Sequence, residues 1–458
     1  MLKNVGWDDF RNPGISVNHA GIRIIQAYEL NMNNIDQKSF NSWSIQEIKD
    51  SDIQIIDGDR GNNYPKKEEF SDSGFCLFLN TGNIKDDKFA FNRCDFISEN
   101  KDHQLRKGKL QRDDIVLTTR GTVGNLAYYH QGISIENIRI NSGMIILRCG
   151  VGINSQFLYQ LLKSQMMKEQ YMLYSSGSAQ PQLPIRDFNR IKILLPPLTQ
   201  QQQIAEILSA YDDLIETNNQ RIATLEQLAQ QIYKEWFVRM RFPGWETTPF
   251  HHGIPEGWEI CKLESLCRNL TDGTHDTPKP TSHGHFLVTG KHINRENFID
   301  FSQAYFISET DHKKISNRSG LDEGDIVFSN IGTIGSCAII KGETDFSVKN
   351  VLIFKPKEKY LTTFLFYLLT NSSTLEQLLL SSSGASQQFI GLTFARDFKV
   401  LVPKYDLIEQ FNALVEPVVE QKYVLNKNNQ LLAKTRNLLL PRLISGKLTI
   451  KQAEALAT

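Results

Sequence analysis

A phrase of twelve residues occurs twice in this chain of 458 residues. DDIVLTTRGTVG at 113–124 returns as GDIVFSNIGTIG at 324–335. The segments around the phrase return in the same order, since FISENKD at 96–102 matches FISETDH at 306–312. Self-similarity that keeps its order along the chain indicates an internal duplication. The sequence therefore predicts two copies of one domain.

Short apolar runs bounded by Gly, Asp and Asn predict strands within each copy, among them IVLTT, MIILRC, IVFSN and VLIFKP. Apolar residues at helical spacing behind Ser155 predict a helix that extends to about Leu173. The segment 363–380 repeats that pattern in the second copy. Each copy is thus predicted to be a mixed α/β (α+β) domain.

A long heptad pattern follows the first copy, with apolar residues at alternating spacings of four and three. The positions are Ile204, Leu208, Tyr211, Ile215, Asn218, Ile222, Leu225, Ala229, Ile232 and Trp236. This pattern is typical of a coiled-coil seam, which needs a partner helix.

The second copy is followed by a matching pattern. Its seam positions fall every seven residues at Val418, Leu425, Leu432 and Leu439. Asn218 and Asn428 are predicted to be the matching polar seam positions that fix the register. Pro417 is predicted to lie in the first turn of this helix. Antiparallel pairing of the two helices would give the molecule an internal pseudo-twofold repeat.

These patterns predict a domain order. It consists of an N-terminal extension (1–42), a first domain (43–196), a central coiled-coil helix (197–240), a linker (241–254), a second domain (255–403), and a distal coiled-coil helix with a tail (404–458).

The composition limits the class of protein. The formal net charge is zero, which argues against binding of nucleic acid by bulk electrostatics. No apolar run is long enough to span a membrane, and the start of the chain is polar. Six cysteines lack any metal-binding or disulfide spacing. We expect a cytoplasmic protein with reduced thiols and no membrane partner.

Catalytic motifs are missing from the sequence. There is no phosphate-binding G-x-x-x-x-G-K-[ST] loop, no G-x-G-x-x-G and no G-x-S-x-G. Histidines gather in the second half beside two aspartates, but the first half has no histidines at the matching positions. The set is His275, His283, His285, His292, Asp272 and Asp276. We therefore predict no catalytic residue, no metal site and no cofactor bound by this chain.

Two loops in each half carry side chains suited to contacting base edges and phosphates. They are 58–67 and 175–182 in the first half, and 272–280 and 382–388 in the second. Solvated loops without function would explain any one of them, whereas their recurrence favours a binding role. With the turns beside them, the candidate contact residues are Arg60, Asn62, Tyr64, Lys66, Asn83, Lys85, Arg120, Thr122, Ser178, Gln180, Gln182, His275, Thr277, Lys279, Lys291, His292, Asn330, Thr333, Ser386, Gln387 and Gln388.

Several motifs together resemble the specificity subunits of type I restriction and modification systems. They include IIDGDRGNNYP at 55–65, TGNI at 81–84, GSAQPQL at 177–183 and RNLLLPRLISGKL at 436–448, with the duplicated phrase. The resemblance extends in order from Ser42 to Leu448.

This resemblance implies two target recognition domains, each reading one half of a split, asymmetric double-stranded DNA site, separated by two antiparallel helices. It also implies two methyltransferase subunits that bind S-adenosylmethionine and dock on the helical region, and two restriction subunits that use ATP and Mg²⁺. The chain itself would be non-catalytic. The docking candidates are Ile204, Leu208, Tyr211, Ile215, Asn218, Ile222, Leu225, Val418, Leu425, Asn428, Leu432 and Leu439.

Two alternatives stay open at the level of sequence. The chain could be the target-recognition part of a self-contained DNA methyltransferase, or a coiled-coil scaffold without DNA contact. The resemblance also has limits, because residues 1–41 have no counterpart in the second half and Arg120 corresponds to Ile331.

Overall fold

The computed structural model describes residues 43–177, 181–380, 389–444 and 448–457. The chain divides into two compact units. The first unit holds the described residues up to Ile215 and those from Gln430 onward, and the second holds Glu216–Asn429. Within these residues, none of the helices combines the length and apolarity needed to cross a membrane.

The first unit is built from short strands and short helices. Its strands are β1 (Ser44–Glu47), β2 (Ile53–Asp57), β3 (Cys76–Leu79), β4 (Ile84–Lys85), β5 (Lys88–Phe89), β6 (Phe96–Ile97), β7 (Ile115–Thr118), β8 (Leu126–Tyr128), β9 (Ile138–Ile140), β10 (Met144–Cys149) and β11 (Lys192–Leu195). Its short helices are α1 (Glu99–Gln104), α2 (Ser155–Lys163), α3 (Gln165–Tyr174) and α4 (Ile185–Phe188).

Two sheets organise the first unit. One is antiparallel with the order β2-β10-β7-β8, and the other has the order β6-β3-β9 with β3 and β9 parallel. The strands β1 and β11 form a separate antiparallel pair. Buried aliphatic residues of β7 point alternately to two cores: Ile115 and Leu117 pack with α2, whereas Val116 packs with β3 and β9.

The long helix α5 (Leu198–Tyr233) crosses from the first unit to the second and is followed by a π-helical turn at Lys234–Val238. The strands of the second unit are β12 (Phe250–His251), β13 (Ile254–Pro255), β14 (Glu259–Lys262), β15 (Cys267–Asp272), β16 (His285–Val288), β17 (Tyr305–Ile307), β18 (Ile326–Ser329), β19 (Cys337–Ile339), β20 (Ser347–Val348), β21 (Val351–Pro356) and β22 (Lys399–Val402). Its short helices are α6 (Glu309–Ser319), α7 (Leu361–Thr370), α8 (Ser372–Leu380) and α9 (Leu392–Asp397).

The second unit repeats the main sheets of the first, whereas the pairs β4-β5 and β12-β13 each occur in one unit. Its four-stranded sheet has the order β15-β21-β18-β19, and its three-stranded sheet has the order β17-β16-β20 with β16 and β20 parallel. The strands β14 and β22 form the separate antiparallel pair. The duplication predicted from the sequence is therefore confirmed as a duplication of fold.

Both helices predicted inside the domains are broken, a feature that the apolar spacing does not indicate. The first is divided at Ser164 and the second at Asn371, and both of these residues have extended backbone angles. The Asn371 side chain accepts a hydrogen bond from the amide of Ser373, 3.0 Å away, at the start of α8. Short polar side chains that bond to the nearby backbone compete with a continuous helix.

The duplicated phrase ends in a GTxG turn at 121–124 and again at 332–335, and the two glycines of each turn are required for different reasons. Gly121 and Gly332 have φ of 74° and 73° with open space around them, so only the backbone angle demands glycine. A Cβ on Gly124 would lie 2.9 Å from the ring of Tyr171, and one on Gly335 would lie 3.0 Å from Leu375. The duplicated phrase thus encodes one strand followed by one close-packed turn.

The second long helix, α10, spans Tyr405–Ile444 and is followed by α11 (Ile450–Ala457). The prediction that Pro417 lies in the first turn is wrong, because the helix begins twelve residues before it. Helix α5 has 36 residues and α10 has 40, so they are about 54 and 60 Å long at 1.5 Å per residue.

The helices pair antiparallel within the second unit, where Asn218 contacts Asn429 and Glu226 contacts Lys422. The prediction of Asn428 as the polar seam position of α10 is wrong by one residue. Asn428 is exposed, and Asn429 is 8% exposed and accepts a hydrogen bond of 2.9 Å from the Asn218 side chain. The seam of α10 contains a second row of positions with polar residues, which a search for apolar spacing does not detect.

Candidate nucleic-acid interface

Four loops of the first unit meet around the segment 141–143, which joins β9 to β10. A Cβ on Gly58 would collide with the carbonyl of Asn141, and one on Gly143 would lie 2.9 Å from the Thr81 methyl group. The amides of Thr119 and Arg120 donate to the Gly143 carbonyl at 2.8 and 3.2 Å. The loops that follow β2, β3 and β7 are therefore in contact at one end of the unit.

The second predicted loop of this unit joins the same place. Arg120 forms a β-bridge with Gln182, and the Leu183 amide donates to the Thr119 carbonyl at 2.9 Å. Arg120 and Gln182 are both exposed. The structure thus brings together loops 58–67 and 181–183, which lie more than one hundred residues apart in the sequence.

Two basic residues at this surface were not among the candidates. The Asp59 carboxylate accepts hydrogen bonds from the amides of Arg106 and Lys107, at 2.6 and 3.4 Å. Burial opposes the ionisation of Asp59, but these amide bonds lower its pKa below the usual value. Arg106 and Lys107 are exposed and lie beside Arg60. Only the fold reveals this basic group, because its members come from two distant segments.

The second unit builds its surface in the same way. A Cβ on Gly273 would lie 2.5 Å from the Val348 carbonyl, and Thr274 forms a parallel bridge with Lys349. The Asn350 amide donates to the Thr274 carbonyl at 3.1 Å. The Ile390 amide donates to the Asn330 carbonyl at 3.0 Å, so the residues after the second predicted loop also reach this end.

The exposed groups here differ from those of the first unit. His275 lies in the position of Arg60 and is hydrogen bonded to Asp272 at 2.9 Å and to Asn350 at 3.2 Å. The Lys349 ammonium donates to the Thr277 hydroxyl. Lys349 and Asn350 were not predicted, since they lie on the β20–β21 connection that carries no obvious sequence motif.

Three candidate contact residues are wrong as base readers, because they are buried. Asn83 is 3% exposed, and its amide donates to the carbonyls of Ala90 and Arg93 at 3.1 and 2.7 Å. His292 occupies the matching position, is 3% exposed, and accepts from the Thr289 amide at 2.9 Å. Asn330 is 2% exposed and donates to the Ile390 carbonyl. These side chains hold the loops in shape.

The other described candidates reach solvent. Tyr64 is half-buried against Phe78, with ring centroids 5.5 Å apart, and burial raises its pKa. The exposed candidates are Arg60, Asn62, Lys66, Lys85, Arg120, Thr122, Gln182, His275, Thr277, Lys279, Lys291 and Thr333. The candidates Ser178, Gln180, Ser386, Gln387 and Gln388 lie outside the described residues.

A histidine cluster lies apart from this loop surface, in the second unit. His285 and His312 stack with ring centroids 3.9 Å apart, and both contact Oδ1 of Asp345, at 3.0 and 3.2 Å. Among the described residues, these three offer ligand atoms within 4.8 Å of one another, whereas the histidine set noted in the sequence forms no such group. Because the stacked rings are parallel, a cation could not lie in both ring planes, and each ring instead makes its own contact with the Asp345 carboxylate.

The two histidines of this cluster have pKa values shifted in opposite directions. The hydrogen bond from His285 to Glu309, 2.5 Å long, raises the pKa of His285 above its usual value. Burial, followed by the charge of His285, lowers the pKa of His312.

The predicted docking residues of the long helices mostly form the seam itself. Leu208, Ile222 and Leu425 are buried, and Asn428 is the exposed exception noted above. The other predicted positions are buried at Ile204, Tyr211, Asn218 and Leu439 and half-buried at Ile215, Leu225, Val418 and Leu432. Seam residues that are already covered are poor candidates for contact with another protein.

A better docking candidate lies on the outer faces of these helices. Val424, Leu431 and Leu438 are 56%, 56% and 54% exposed and lie seven residues apart on α10. Leu214 and Leu228 on α5 are 46% and 49% exposed. Exposed apolar side chains in a row along a helix mark a surface for protein contact. The sequence carries a signal for this second apolar face in the doublets Leu431-Leu432 and Leu438-Leu439, because adjacent residues of a helix point in different directions.

Comparison with known proteins gives one consistent result. Residues 42–227 match the family model described as the type I restriction modification DNA specificity domain. The MjaIX specificity subunit of Methanocaldococcus jannaschii is 25% identical over 357 residues, which cover 74% of this chain and 78% of that protein. The HindI specificity subunit of Haemophilus influenzae is 21% identical over 461 residues, which cover 85% and 98%.

A solved structure supports the same fold. The crystal structure of the type I restriction-modification S subunit from M. genitalium matches 88% of this chain and 96% of that chain, with a TM-score of 0.50 at 15% sequence identity. The family match over residues 42–227, the two relatives and the shared fold all relate this chain to the specificity subunits of type I restriction-modification systems.

Proposed function

We propose that each unit reads one half of a split double-stranded DNA site through its loop surface. The observation that carries this proposal is the recurrence of the same loop convergence at the same end of both sheets. The exposed groups are arginine, lysine, asparagine, glutamine, threonine and histidine, which are the donors and acceptors suited to base edges and phosphates. The two alternative functions are not favoured by the family comparisons.

The two surfaces differ where base contacts would be made, so the site is expected to be asymmetric. Arg120 in the first unit corresponds to Ile331 in the second, and Arg60 corresponds to His275. An arginine pairs best with guanine, whereas an isoleucine offers only apolar contact. Unlike side chains on equivalent loops would therefore read unlike half-sites.

Replacing Arg120 tests this assignment. In Arg120→Ala we expect relaxed specificity at one half-site, equivalent to about 1–3 kcal/mol at one base pair, because a bidentate base contact is lost. The measurement is binding of the assembled complex to a library of DNA sites, or the set of methylated sites in cells. Recognition of the other half-site stays unchanged.

Lys49→Ala is the matched control, since Lys49 is an exposed cation of the same unit that precedes β2, whereas the loop 58–67 follows it. Unchanged sequence preference in Arg120→Ala, or an equal change in Lys49→Ala, would contradict the assignment of this loop surface.

We further propose that two methyltransferase subunits dock on the exposed apolar rows of α5 and α10. These subunits would supply S-adenosylmethionine and the adenine methylation, and two restriction subunits would supply ATP- and Mg²⁺-dependent translocation and cleavage. The support is the exposed row of Val424, Leu431 and Leu438, which an isolated chain leaves in water.

A charge on this row tests the docking proposal. Leu431→Glu is expected to abolish co-purification with the methyltransferase while the chain keeps its melting temperature, because Leu431 is 56% exposed and contributes little to the core. Lys434→Glu, an exposed position on the same helix, is the control. Wild-type assembly of Leu431→Glu would rule out this row as the docking surface.

The long helices are proposed to set the number of base pairs between the half-sites. Inserting two heptads into both helices adds about 21 Å, or about six base pairs of DNA. We expect the preferred spacer to lengthen accordingly in a methylation assay. An unchanged spacer in a folded, active complex would refute the role of the helices.

A further inference from the structure

Three polar contacts interrupt the apolar seam of the two long helices. In the second unit, the Lys422 ammonium binds the Glu226 carboxylate, and Asn429 is hydrogen bonded to Asn218 and Asn219. In the first unit, the Arg436 guanidinium binds the Asp212 carboxylate. The residues from α10 are spaced by seven, which places them on one row of its seam. We call these contacts the polar layers.

The charged groups of the polar layers are covered by the protein. The side chain of Lys422 is 3% exposed and that of Glu226 is 13% exposed. Arg436 and Asp212 are 17% and 23% exposed. Other groups support them: Tyr367 donates to Glu226 at 3.4 Å, and Asp212 also contacts Gln160 and Lys163. Burial makes each charge depend on an oppositely charged partner.

The internal duplication reveals an ordered arrangement of charge. The segments FISENKD at 96–102 and FISETDH at 306–312 align the two halves with an offset of 210 residues. With this offset, Asp212 corresponds to Lys422, Asn219 to Asn429, and Glu226 to Arg436. At each charged position α5 therefore carries an acid where α10 carries a base. The central asparagine is the same in both helices.

Pairing of like helices from two chains would bring like charges together. If a second copy of α5 took the place of α10, Asp212 would stand where Lys422 stands and would face Glu226. If a second copy of α10 took the place of α5, Lys422 would face Arg436. The apolar seam residues, such as Ile222 and Leu425, would not prevent either pairing, because apolar contact is not directional.

We propose that the polar layers select the partner of each long helix. Helix α5 pairs with α10 of the same chain, and neither helix pairs with the same helix of a second chain. A duplicated protein with two similar seams needs such a device, since otherwise each half could pair with the same half of another molecule. This assembly rule is independent of the DNA-reading role proposed above.

Two double variants of the full chain, with the same net charge and one substitution in common, test the rule. Glu226→Lys with Lys422→Glu keeps opposite charges in both layers within a chain. Glu226→Lys with Arg436→Glu places like charges opposite each other within a chain, because the new lysine of α5 faces Lys422 and the new glutamate of α10 faces Asp212. The same variant makes each helix complementary in charge to the same helix of a second chain. Molecular mass by light scattering and the melting temperature are measured for both.

We expect the first variant to be monomeric with a melting temperature near that of the parent chain. The second variant is expected to melt at least about 5 °C lower as a monomer and to form a dimer, because the like-charged layers are relieved only between copies. Equal melting temperatures in the two variants, or a second variant that stays monomeric at every concentration, would overturn the proposal.

A double-mutant cycle keeps the test decisive if the second variant does not fold. Glu226→Lys and Lys422→Glu alone are each expected to melt below the parent, and combining them is expected to restore the melting temperature. Additive losses in the combined variant would show that the layer does not discriminate between charges and would also overturn the proposal.

Discussion

The two units carry different polar side chains at one equivalent helix position, where the helix contacts the three-stranded sheet. In the first unit, Asp102 of α1 is 2% exposed and binds Arg139 of β9 at 2.5 Å and Lys109 at 2.6 Å. In the second unit, His312 of α6 takes the place of Asp102 and contacts Ser347 of β20 at 3.0 Å. Both positions lie four residues after the serine that caps the helix.

This difference teaches that the fold needs a polar link between the helix and the sheet, but not a particular charge. Burial opposes ionisation of Asp102, yet its bonds to Lys109 and Arg139 lower its pKa, so the ion pair stays charged at neutral pH. The histidine cluster instead contains imidazoles, whose ordinary pKa lies near neutral pH and which are shifted here in opposite directions. The first link is permanent, and the second depends on pH.

The largest expected effect comes from breaking the permanent link. Arg139→Met leaves Asp102 buried without its main partner, so we expect the first unit to lose about 3–5 kcal/mol of unfolding free energy. Ser347→Ala at the equivalent position is expected to cost less than about 1.5 kcal/mol. Amide hydrogen exchange of β3 and β9 compared with β16 and β20 measures each unit separately. Similar losses in both units would contradict the comparison.

A second contrast concerns the GTxG turns. Gly124→Ala is expected to cost about 2–3 kcal/mol, because φ is 93° and the new Cβ meets the ring of Tyr171, which is fixed by its hydrogen bond to Leu162. Gly335→Ala has a similar φ of 94° but meets the flexible end of Leu375, so we expect a smaller loss. Urea unfolding of both variants gives the difference. A larger loss of unfolding free energy for Gly335→Ala would contradict the expectation that contact with the fixed Tyr171 ring costs more than contact with the flexible end of Leu375.

A third contrast concerns the buried aspartate before the central strand of each unit. Asp114 is bound by two nitrogens of Arg148, at 2.8 and 2.7 Å, whereas Asp325 is bound by Lys355. Arg148→Lys is expected to cost about 1–2 kcal/mol, because lysine cannot reproduce the two-pronged contact. Thermal unfolding with Lys355→Arg as the reciprocal control measures the effect. No loss in Arg148→Lys would mean that charge alone suffices.

The smallest expected effects are opposite pH slopes within the histidine cluster. The raised pKa of His285 gives stability that is present below pH 6.5 and is lost as pH rises through the folded-state pKa. The lowered pKa of His312 gives stability that is present above pH 6.5 and is lost as pH falls toward the folded-state pKa. The stability of His285→Gln should therefore rise between pH 5.5 and 7.5, and that of His312→Gln should fall.

Exchange rates in β16 and β20, corrected for intrinsic pH dependence, measure these slopes. The first unit is the internal control, since the lowered pKa of Asp102 makes its contribution disappear only as pH falls below about 4. Slopes of the same sign in both variants would contradict the opposite pKa shifts of His285 and His312.

Much of the fold followed from the sequence because the duplication makes each half a check on the other. The repeated phrase predicted β7 with its turn and β18 with its turn, and the structure confirms both. The coiled-coil seam of α5 was also predicted from Ile204 to Trp236, and its positions are buried or half-buried, although Trp236 lies in the π-helical turn beyond the end of α5. The predicted domain boundaries stay predictions. The seam of α10 was half missed, because its second row carries Lys422, Asn429 and Arg436, which no search for apolar spacing detects.

The sequence by itself determined the duplication, the repeated short strands and the existence of two long helices, since these depend on local patterns that repeat. Only the tertiary structure decided which polar side chains face solvent, which acid meets which base, and that Arg106 lies beside Arg60. The physical reason is distance along the chain. Charge pairing and burial depend on which segments meet in space, and a pattern of neighbours in sequence does not contain that information.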